Sequence, residues 1–167
     1  PFLFTINCLT GAYQQTLYGQ CLGEAFYRQN HGVYGYIGPT EVSYSVVNDA
    51  FIWGSYEAMW PDFCPDLGDT FKFHDRGQKP GFAHVFGKLF LAASSWPYNP
   101  AEKNITYDLF HMHGDAFMTI YSEMPQDLTV SHDGVLLSGV TVFPVTADEG
   151  AFIALTVNGE IIGTGTA

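Results

Sequence analysis

Apolar residues recur along the chain with two different periods, and the period changes near residue 123. Before that point, short apolar runs typical of buried strands are separated by longer stretches with apolar residues three or four positions apart, as in amphipathic helices. The pattern predicts strands at 2–7, 33–37 and 115–121, and helices at 19–30, 48–60 and 82–96. Strands that alternate with helices are typical of an α/β fold, in which helices flank a sheet.

Proline, glycine and short polar residues predict where these elements end. The Asn48-Asp49 pair is a predicted helix N-cap, because short polar side chains accept hydrogen bonds from the free amides of a first turn. Residues 61–81 are rich in Pro, Gly and Asp and are predicted to form a long loop. Pro97 and Pro100 are predicted to end the helix before them, since proline cannot continue a helix.

After Pro125 the helical period disappears, and only short runs of alternating apolar and polar residues remain. Turn signals separate these runs, and Asn158-Gly159 between two of them predicts a type I′ β-hairpin. Residues 124–167 are therefore predicted to form a separate all-β domain after an α/β domain at 1–123. This stretch has room for only about four strands of ordinary length, so the β domain is predicted to be incomplete.

The charge balance narrows the classes of partner. Asp and Glu number 17 against 6 Lys and Arg, for a formal net charge of −11. This excess of negative charge repels phosphate backbones and anionic lipid, which disfavours nucleic-acid binding. No apolar run has the length of a membrane span. No zinc or EF-hand spacing is present, so the sequence predicts no metal site and no cofactor.

Cys8 is the first candidate for chemistry, because it follows a predicted buried strand and opens a tight turn that contains Gly11. Open α/β sheets place their sites at this carboxyl edge. A small buried cysteine with no reactive role is the alternative interpretation, and the residues by themselves favour it. Cys21 and Cys64 are interpreted as structural, and the sequence leaves open whether they pair.

Four segments, taken in order, resemble the gingipain family of cysteine peptidases. Ile6–Tyr13 (INCLTGAY) is similar to the nucleophile segment of that family, in which a strand is followed by Cys, two residues and Gly. Cys21–Phe26 (CLGEAF) resembles the family helix, and Gly32–Thr40 resembles the next strand. His113–Ala116 (HGDA) resembles a Gly-Asp-Pro turn, with Ala116 in place of Pro. The predicted helices that contain Asn48 and Gly87 also correspond, and the β tail lies where the family has an immunoglobulin-like domain.

The resemblance implies a partial caspase-like α/β sheet with flanking helices, followed by a partial immunoglobulin-like domain. It implies a cysteine endopeptidase acting on protein or peptide substrates, with Cys8 as the nucleophile. It also implies that Cys8 and Gly11 form the oxyanion turn. The substrate pocket is assigned to Thr40, Glu41, Tyr44 and Ser45. Glu41 either selects a basic substrate side chain or is simply solvated. Calcium is compatible with the resemblance, and the implied location is secreted or on a bacterial cell surface.

The catalytic histidine of such a peptidase lies upstream of the cysteine, and no histidine in this chain precedes Cys8. The chain has neither an initiator Met nor a signal-peptide pattern, so we interpret it as a fragment or a processed subunit. We expect the N-terminal part of the same peptidase to supply the imidazole, and we expect the fragment by itself to be inactive. Two alternatives remain open: a catalytically inactive peptidase-like scaffold, and a β-rich binding module of a secreted or surface protein.

Overall fold

The computed structural model describes residues 1–14, 19–60, 63, 78–95, 100–121 and 124–167. These residues belong to two compact units, Pro1–Ser122 and Glu123–Ala167. No helix among the described residues is long and apolar enough to cross a membrane. The helices and strands, in chain order, are β1 (Phe2–Phe4), α1 (Leu22–Tyr27), β2 (Gly35–Pro39), α2 (Ser45–Met59), α3 (Pro80–Ala93), α4 (Pro100–Leu109), β3 (Phe110–Gly114), β4 (Ser131–His132), β5 (Val145–Thr146), β6 (Phe152–Val157) and β7 (Glu160–Thr166).

The first unit contains a three-stranded sheet in the order β1-β2-β3. β1 and β2 are parallel, with Leu3 opposite Tyr36, and β3 runs antiparallel to β2, with Met112 opposite Ile37. Parallel neighbours need a crossover connection, and the segment that contains α1 provides it. The predicted α/β organisation is confirmed in this unit, where helices flank a mixed sheet.

The main hydrophobic core lies between the sheet and helices α2 and α3. Its buried members are Ile37, Val47, Ala50, Phe51, Phe90, Leu91 and Phe110. The rings of Phe51 and Phe110 stack with their centroids 4.2 Å apart. Phe51 therefore connects α2 to the first residue of β3, and the core holds the helix layer against the sheet.

Two glycines allow α2 and α3 to approach closely. A Cβ at Gly87 would lie 2.7 Å from the carbonyl oxygen of Phe51, and a Cβ at Gly54 would lie 2.8 Å from the carbonyl oxygen of Phe86. Real Cβ atoms are not found so close to a neighbouring backbone. Any larger side chain at either position would have to push the two helices apart.

The opposite face of the sheet packs against α1. Successive strand residues point to opposite faces, so Tyr36 faces α1 while Ile37 faces the main core. The Tyr36 side chain is 1% exposed, and its ring stacks on His113 of β3 at 4.6 Å. Burial raises the pKa of the Tyr36 phenol. Gly23 leaves the space that this ring occupies, since a Cβ there would overlap it.

Three predictions of local structure were wrong. Helix α2 begins at Ser45 with Tyr44 as its N-cap residue, so the Asn48-Asp49 pair is not the cap. Residues 115–121 are not a strand, because β3 is formed by Phe110–Gly114 just before them. Helix α4 was not predicted, since Pro100 was interpreted only as an end signal. Proline is in fact favoured at a first helical position, where its missing amide proton is not needed.

The second unit consists, in its described residues, of two antiparallel strand pairs, β4-β5 and β6-β7. The predicted hairpin turn is confirmed, because Asn158 and Gly159 both have positive φ, at 52° and 85°, as a type I′ turn requires. Many of its apolar side chains are exposed, among them Val142 at 73% and Phe152 at 71%. An immunoglobulin-like identity for this unit stays a prediction.

Candidate active site

Cys8 lies on the loop that follows β1, here called the cysteine loop (residues 5–12). The loop after β2, residues 40–44, runs beside it and is called the facing loop. Leu9 N–H donates to the Glu41 carbonyl of the facing loop at 3.2 Å, and Gly11 N–H donates to the carbonyl of Pro39, the last residue of β2, at 2.9 Å. Because β1 and β2 are parallel, both loops lie at the carboxyl edge of the sheet, where α/β folds place their sites.

The cysteine loop is also fixed from within. Thr10 donates its hydroxyl to the Asn7 carbonyl at 2.8 Å, and Thr5 donates its hydroxyl to Thr10 Oγ1 at 3.0 Å. Leu9 adopts φ of +63°, a left-handed conformation that non-glycine residues rarely take. The Thr10 carbonyl accepts a hydrogen bond from Gly23 N–H of α1 at 2.8 Å. These contacts hold Cys8 on a tight turn whose thiol is exposed.

Gly11 is required by the close approach of the cysteine loop to the end of β2. A Cβ at this position would lie 2.9 Å from the carbonyl oxygen of Gly38 and 3.3 Å from that of Pro39. Its amide is already bonded to Pro39, so it is not free to donate to a bound oxyanion. Gly11 therefore belongs to the turn and to the packing of the loop, and the amide of Cys8 itself is the better candidate donor.

The thiol of Cys8 contacts Ser43 of the facing loop through three atoms. Ser43 N–H donates to Cys8 Sγ at 3.3 Å, Ser43 Oγ lies 3.6 Å from Sγ as a second donor, and the thiol proton can be donated to the Ser43 carbonyl at 3.3 Å. The main-chain and side-chain hydrogen bonds from Ser43 lower the pKa of the Cys8 thiol, against the small opposing effect of burial. A thiolate is the reactive form of cysteine, so this environment favours nucleophilic chemistry.

The side chain of Asn48 in α2 forms hydrogen bonds with both loops. Its side chain is 1% exposed, and its amide nitrogen donates to the Ile6 carbonyl at 2.7 Å and to Ser43 Oγ at 2.8 Å. Sequence reasoning missed Ser43 and interpreted Asn48 only as a helix cap. The available signal was a polar residue among Val47, Ala50 and Phe51 on the inward side of α2, which indicates a specific buried partner.

The four residues assigned to the substrate pocket do not all point outwards. Thr40 is 8% exposed, and its hydroxyl donates to the Leu109 carbonyl inside the fold. Glu41, Tyr44 and Ser45 are exposed on or next to the facing loop. Glu41 accepts a hydrogen bond from Gln14 Nε2 at 3.1 Å. These three side chains are therefore available to contact a bound molecule. Thr40 is not, because its N–H donates to the Leu109 carbonyl at 3.0 Å and its carbonyl accepts a hydrogen bond from Gln14 Nε2 at 2.8 Å.

The other cysteines have different environments. Cys21 is the N-cap residue of α1: its sulfur accepts a hydrogen bond from Glu24 N–H, and the Glu24 carboxylate accepts one from Cys21 N–H. The predicted structural role of Cys21 agrees with this capping box. Cys64 and His74 lie outside the described residues, so pairing of Cys21 with Cys64 stays a prediction.

No described histidine forms a hydrogen bond with Cys8. His84 packs edge-on against Phe51, and burial lowers its pKa to about 4. His113 stacks on Tyr36, and burial and the nearby His111 lower its pKa. His31 follows α1, and His132 belongs to the second unit. The described part of the chain also contains no cluster of His, Cys, Asp or Glu able to hold a metal ion.

The Cys8 thiol therefore lies at the carboxyl edge of the parallel strands of a sheet flanked by helices, and its pKa is lowered. Cysteine peptidases of the caspase-like α/β class have this arrangement. The family model for Peptidase family C25 matches residues 1–121. The chain therefore belongs to peptidase family C25, a family of cysteine peptidases. Comparison with curated proteins finds no match.

The fold is also that of solved gingipain structures. The chain is similar to the Arg-specific cysteine proteinase gingipain R (RgpB), with a TM-score of 0.63, 20% identity, and 100% of this chain covered. It is similar to a complex of the Porphyromonas gingivalis RgpB pro- and mature domains, with a TM-score of 0.62, 18% identity and 100% of this chain covered. A third structure, described as a protease, has a TM-score of 0.60 and 21% identity, with 99% of this chain covered. The chain spans only 37%, 37% and 38% of the three matched chains, respectively.

Proposed function

We propose that this chain provides the nucleophile of a cysteine-type endopeptidase, and that Cys8 is that nucleophile. The observation that carries the proposal is the contact of the exposed Cys8 sulfur with two donors of Ser43, which lowers the pKa of the thiol at the carboxyl edge of the sheet. Membership of family C25 supports the same chemistry. Substrates are proteins or peptides, since a thiolate of this kind attacks acyl carbonyl groups.

In the proposed reaction, an imidazole accepts the proton of the Cys8 thiol, and the sulfur attacks the carbonyl carbon of the scissile peptide. The developing oxyanion accepts a hydrogen bond from the amide of Cys8. The carbon–nitrogen bond then breaks, and the imidazolium protonates the leaving amine. Water hydrolyses the resulting thioester, the imidazole accepts a proton from that water, and the carbon–sulfur bond breaks to regenerate the thiol.

The imidazole is proposed to come from polypeptide outside these 167 residues, in the N-terminal part of the same peptidase. The five described histidines have no hydrogen bond to Cys8, and His84 and His113 are committed to contacts with Phe51 and Tyr36. The chain by itself is therefore expected to be inactive. The exposed Glu41, Tyr44 and Ser45 would line the pocket for the substrate residue that precedes the cleaved bond, and Glu41 would favour a basic side chain there.

The remaining parts of the proposal rest on the family. Residues 124–167 are proposed to be part of an immunoglobulin-like domain, and the protein is proposed to be secreted or on a bacterial cell surface. Calcium binding is compatible with the family, and the described residues contain no group of three or more His, Cys, Asp or Glu side chains that could hold a metal ion. The competing function is an inactive peptidase-like scaffold, which is favoured only by the lack of a described histidine beside Cys8.

Hydrolysis and alkylation of the natural full-length protein test the proposal. Cys8→Ser is expected to abolish peptide hydrolysis, whereas Cys21→Ser, a matched control that keeps a capping side chain at α1, is expected to retain it. Iodoacetamide at mildly acidic pH is expected to label Cys8 ahead of Cys21 and Cys64, with parallel loss of activity. Hydrolysis that survives Cys8→Ser would overturn the assignment, and equal labelling of the three cysteines without any hydrolysis would favour the scaffold.

A further inference from the structure

Asn48 connects the two loops that form the proposed nucleophile site, although it lies in the first turns of α2. One of its amide protons is donated to the Ile6 carbonyl on the cysteine loop, and the other is donated to Ser43 Oγ on the facing loop. The side chain is 1% exposed, so no solvent competes for these bonds. Its carbonyl oxygen Oδ1 is buried and has no hydrogen-bond partner among the residues that the structure describes. A buried amide oxygen without a partner costs stability, so the contribution of this side chain to the two loops comes from its two N–H donors.

The bond from Asn48 determines how the Ser43 hydroxyl can be used. A serine hydroxyl has one proton to donate and two lone pairs to accept. Because Asn48 Nδ2 donates to Ser43 Oγ at 2.8 Å, the hydroxyl already acts as an acceptor towards α2 and its proton is left for another partner. Cys8 Sγ lies 3.6 Å from that oxygen, within the range of hydrogen bonds to sulfur. The hydroxyl is thereby oriented as a donor towards the sulfur.

The contacts of Ser43 have opposite effects on the two forms of Cys8. The thiol donates to the Ser43 carbonyl at 3.3 Å, and this contact favours the protonated form. The main-chain N–H and the hydroxyl of Ser43 both donate to sulfur, and these contacts favour the thiolate. Removal of the hydroxyl donor would shift the balance towards the thiol.

We propose that Asn48 is a positioning residue that acts through Ser43, holding the Ser43 hydroxyl as a hydrogen-bond donor to the Cys8 thiolate. This inference deepens the proposed function and rests on it only for the identity of the nucleophile. Asn48 lies 5 positions from Ser43 in the sequence, and Ser43 lies 35 positions from Cys8. The inference therefore assigns roles to two side chains that lie outside the sequence motif of the cysteine loop.

No charged group accounts for the lowered pKa of Cys8 among the described residues. The segments around the thiol contain four titratable groups near Cys8 and Ser43 in sequence: Tyr13 just after the cysteine loop, Glu41 and Tyr44 in the facing loop, and Asp49 in α2. None of these is a cause of the shift, which comes from the hydrogen bonds of Ser43 and from the amide of Cys8 itself, opposed by burial. The hydrogen bonds are therefore the interactions to change in an experiment.

The experiment measures the pH dependence of iodoacetamide alkylation at Cys8 in the full-length protein, in a double-mutant cycle of Ser43→Ala and Asn48→Ala. Each single variant is expected to move the midpoint of alkylation to higher pH, and to lower the thiolate fraction at pH 6 by roughly threefold to tenfold, as expected for the loss of one hydrogen bond. Asn48→Ala is expected to add little in the Ser43→Ala background, because the hydroxyl through which it acts is already absent. Ser43→Thr retains a hydroxyl and is expected to restore the wild-type midpoint.

A purely structural role for Asn48 gives a different result. Asn48→Ala would then lower the melting temperature while the alkylation midpoint stayed at its wild-type value, which would overturn the proposal. Additive effects of the two variants on the midpoint would also overturn it. If Asn48→Ala does not fold, the comparison of Ser43→Ala with Ser43→Thr decides, since a midpoint unchanged by loss of the hydroxyl excludes the mechanism. Loss of hydrolysis in Cys8→Ser with an unchanged midpoint in Ser43→Ala would leave the proposed function standing and reject this inference alone.

Discussion

Replacement of Gly11 by alanine tests whether close contact between the cysteine loop and β2 determines the position of Cys8. The new Cβ would lie 2.9 Å from the Gly38 carbonyl oxygen and 3.1 Å from its carbon, both of which are main-chain atoms of a central strand. Because β2 is paired on both sides, the loop has to move instead. The movement weakens the hydrogen bond from Gly11 N–H to the Pro39 carbonyl.

The size of the effect follows from two opposing contributions. Overpacking of a well-packed site costs about 1–3 kcal/mol. Replacement of glycine by alanine also lowers the conformational entropy of the unfolded chain, which stabilises the folded state by about 0.4–1 kcal/mol. The expected net loss is about 1–2 kcal/mol in the free energy of unfolding, or a fall of roughly 3–8 °C in melting temperature. The displaced loop also separates Cys8 from Ser43, so the alkylation midpoint of Cys8 is expected to move to higher pH.

Thermal unfolding followed by circular dichroism at 222 nm measures the stability, because all described helices belong to the first unit. Gly134→Ala is the control, since a Cβ there meets nothing within 4 Å, and it is expected to leave the melting temperature unchanged. Gly11→Val extends the series and is expected to cost more than Gly11→Ala. A Gly11→Ala protein with wild-type stability and a wild-type alkylation midpoint would refute the steric reasoning.

Three further predictions concern other parts of the chain. Gly87→Ala is expected to lower the free energy of unfolding, measured by urea denaturation, by about 1–2 kcal/mol, because a Cβ there would lie 2.7 Å from the Phe51 carbonyl oxygen in α2. The control is Val85→Ala at an exposed position of the same helix, which is expected to change the free energy of unfolding by less than about 0.5 kcal/mol. Equal costs for the two would contradict the close helix crossing. His84 has a folded-state pKa of about 4, below the ordinary value of 6.5, so the unfolded state binds more protons between these two pH values. The contribution of neutral His84 to the free energy of unfolding is therefore fully present above pH 6.5. It is expected to fall by on the order of 2–3 kcal/mol as the pH drops towards 4. His84→Phe, which keeps a ring against Phe51, is expected to remove this part of the pH dependence, and an unaltered pH profile would exclude it. Gly159→Ala places a Cβ at φ of +85° and is expected to speed amide hydrogen exchange in β6 and β7, at a cost of about 1–2 kcal/mol. Unchanged exchange rates in both strands would contradict the left-handed conformation at this turn.

Local sequence signals predicted those features whose causes are themselves local. The apolar stripe of α3, the strand that precedes Cys8 and the Asn158-Gly159 hairpin all depend on neighbouring residues. Signals with two meanings gave the errors. Pro100 is an end signal for the helix before it, but in the structure it is the first residue of α4. Residues 115–121 carry the apolar residues of a strand, yet the Ala116 carbonyl accepts a bond from Gly81 and Ile120 N–H donates to the Gln78 carbonyl, which holds the segment beside the start of α3.

Sequence patterns next to Cys8, together with the family resemblance, predicted only part of the candidate site. Asn48 and Ser43 act through contacts with the cysteine loop 42 and 35 positions away, and no local pattern encodes those contacts. Gly11 was predicted as part of the turn, but its main constraint is the backbone of Gly38, which is distant in sequence. Long-range packing therefore decides which side chains reach the thiol.

The most direct test of the account is a covalent trap for the nucleophile. The full-length protein is treated with a peptidyl acyloxymethyl ketone, which forms a thioether with a reactive thiolate in a substrate-binding site, and the modified peptide is located by mass spectrometry. The account predicts one equivalent of label on Cys8 and complete loss of peptide hydrolysis at the same stoichiometry. Label on Cys21 or Cys64, or hydrolysis that continues after Cys8 is fully modified, would contradict it.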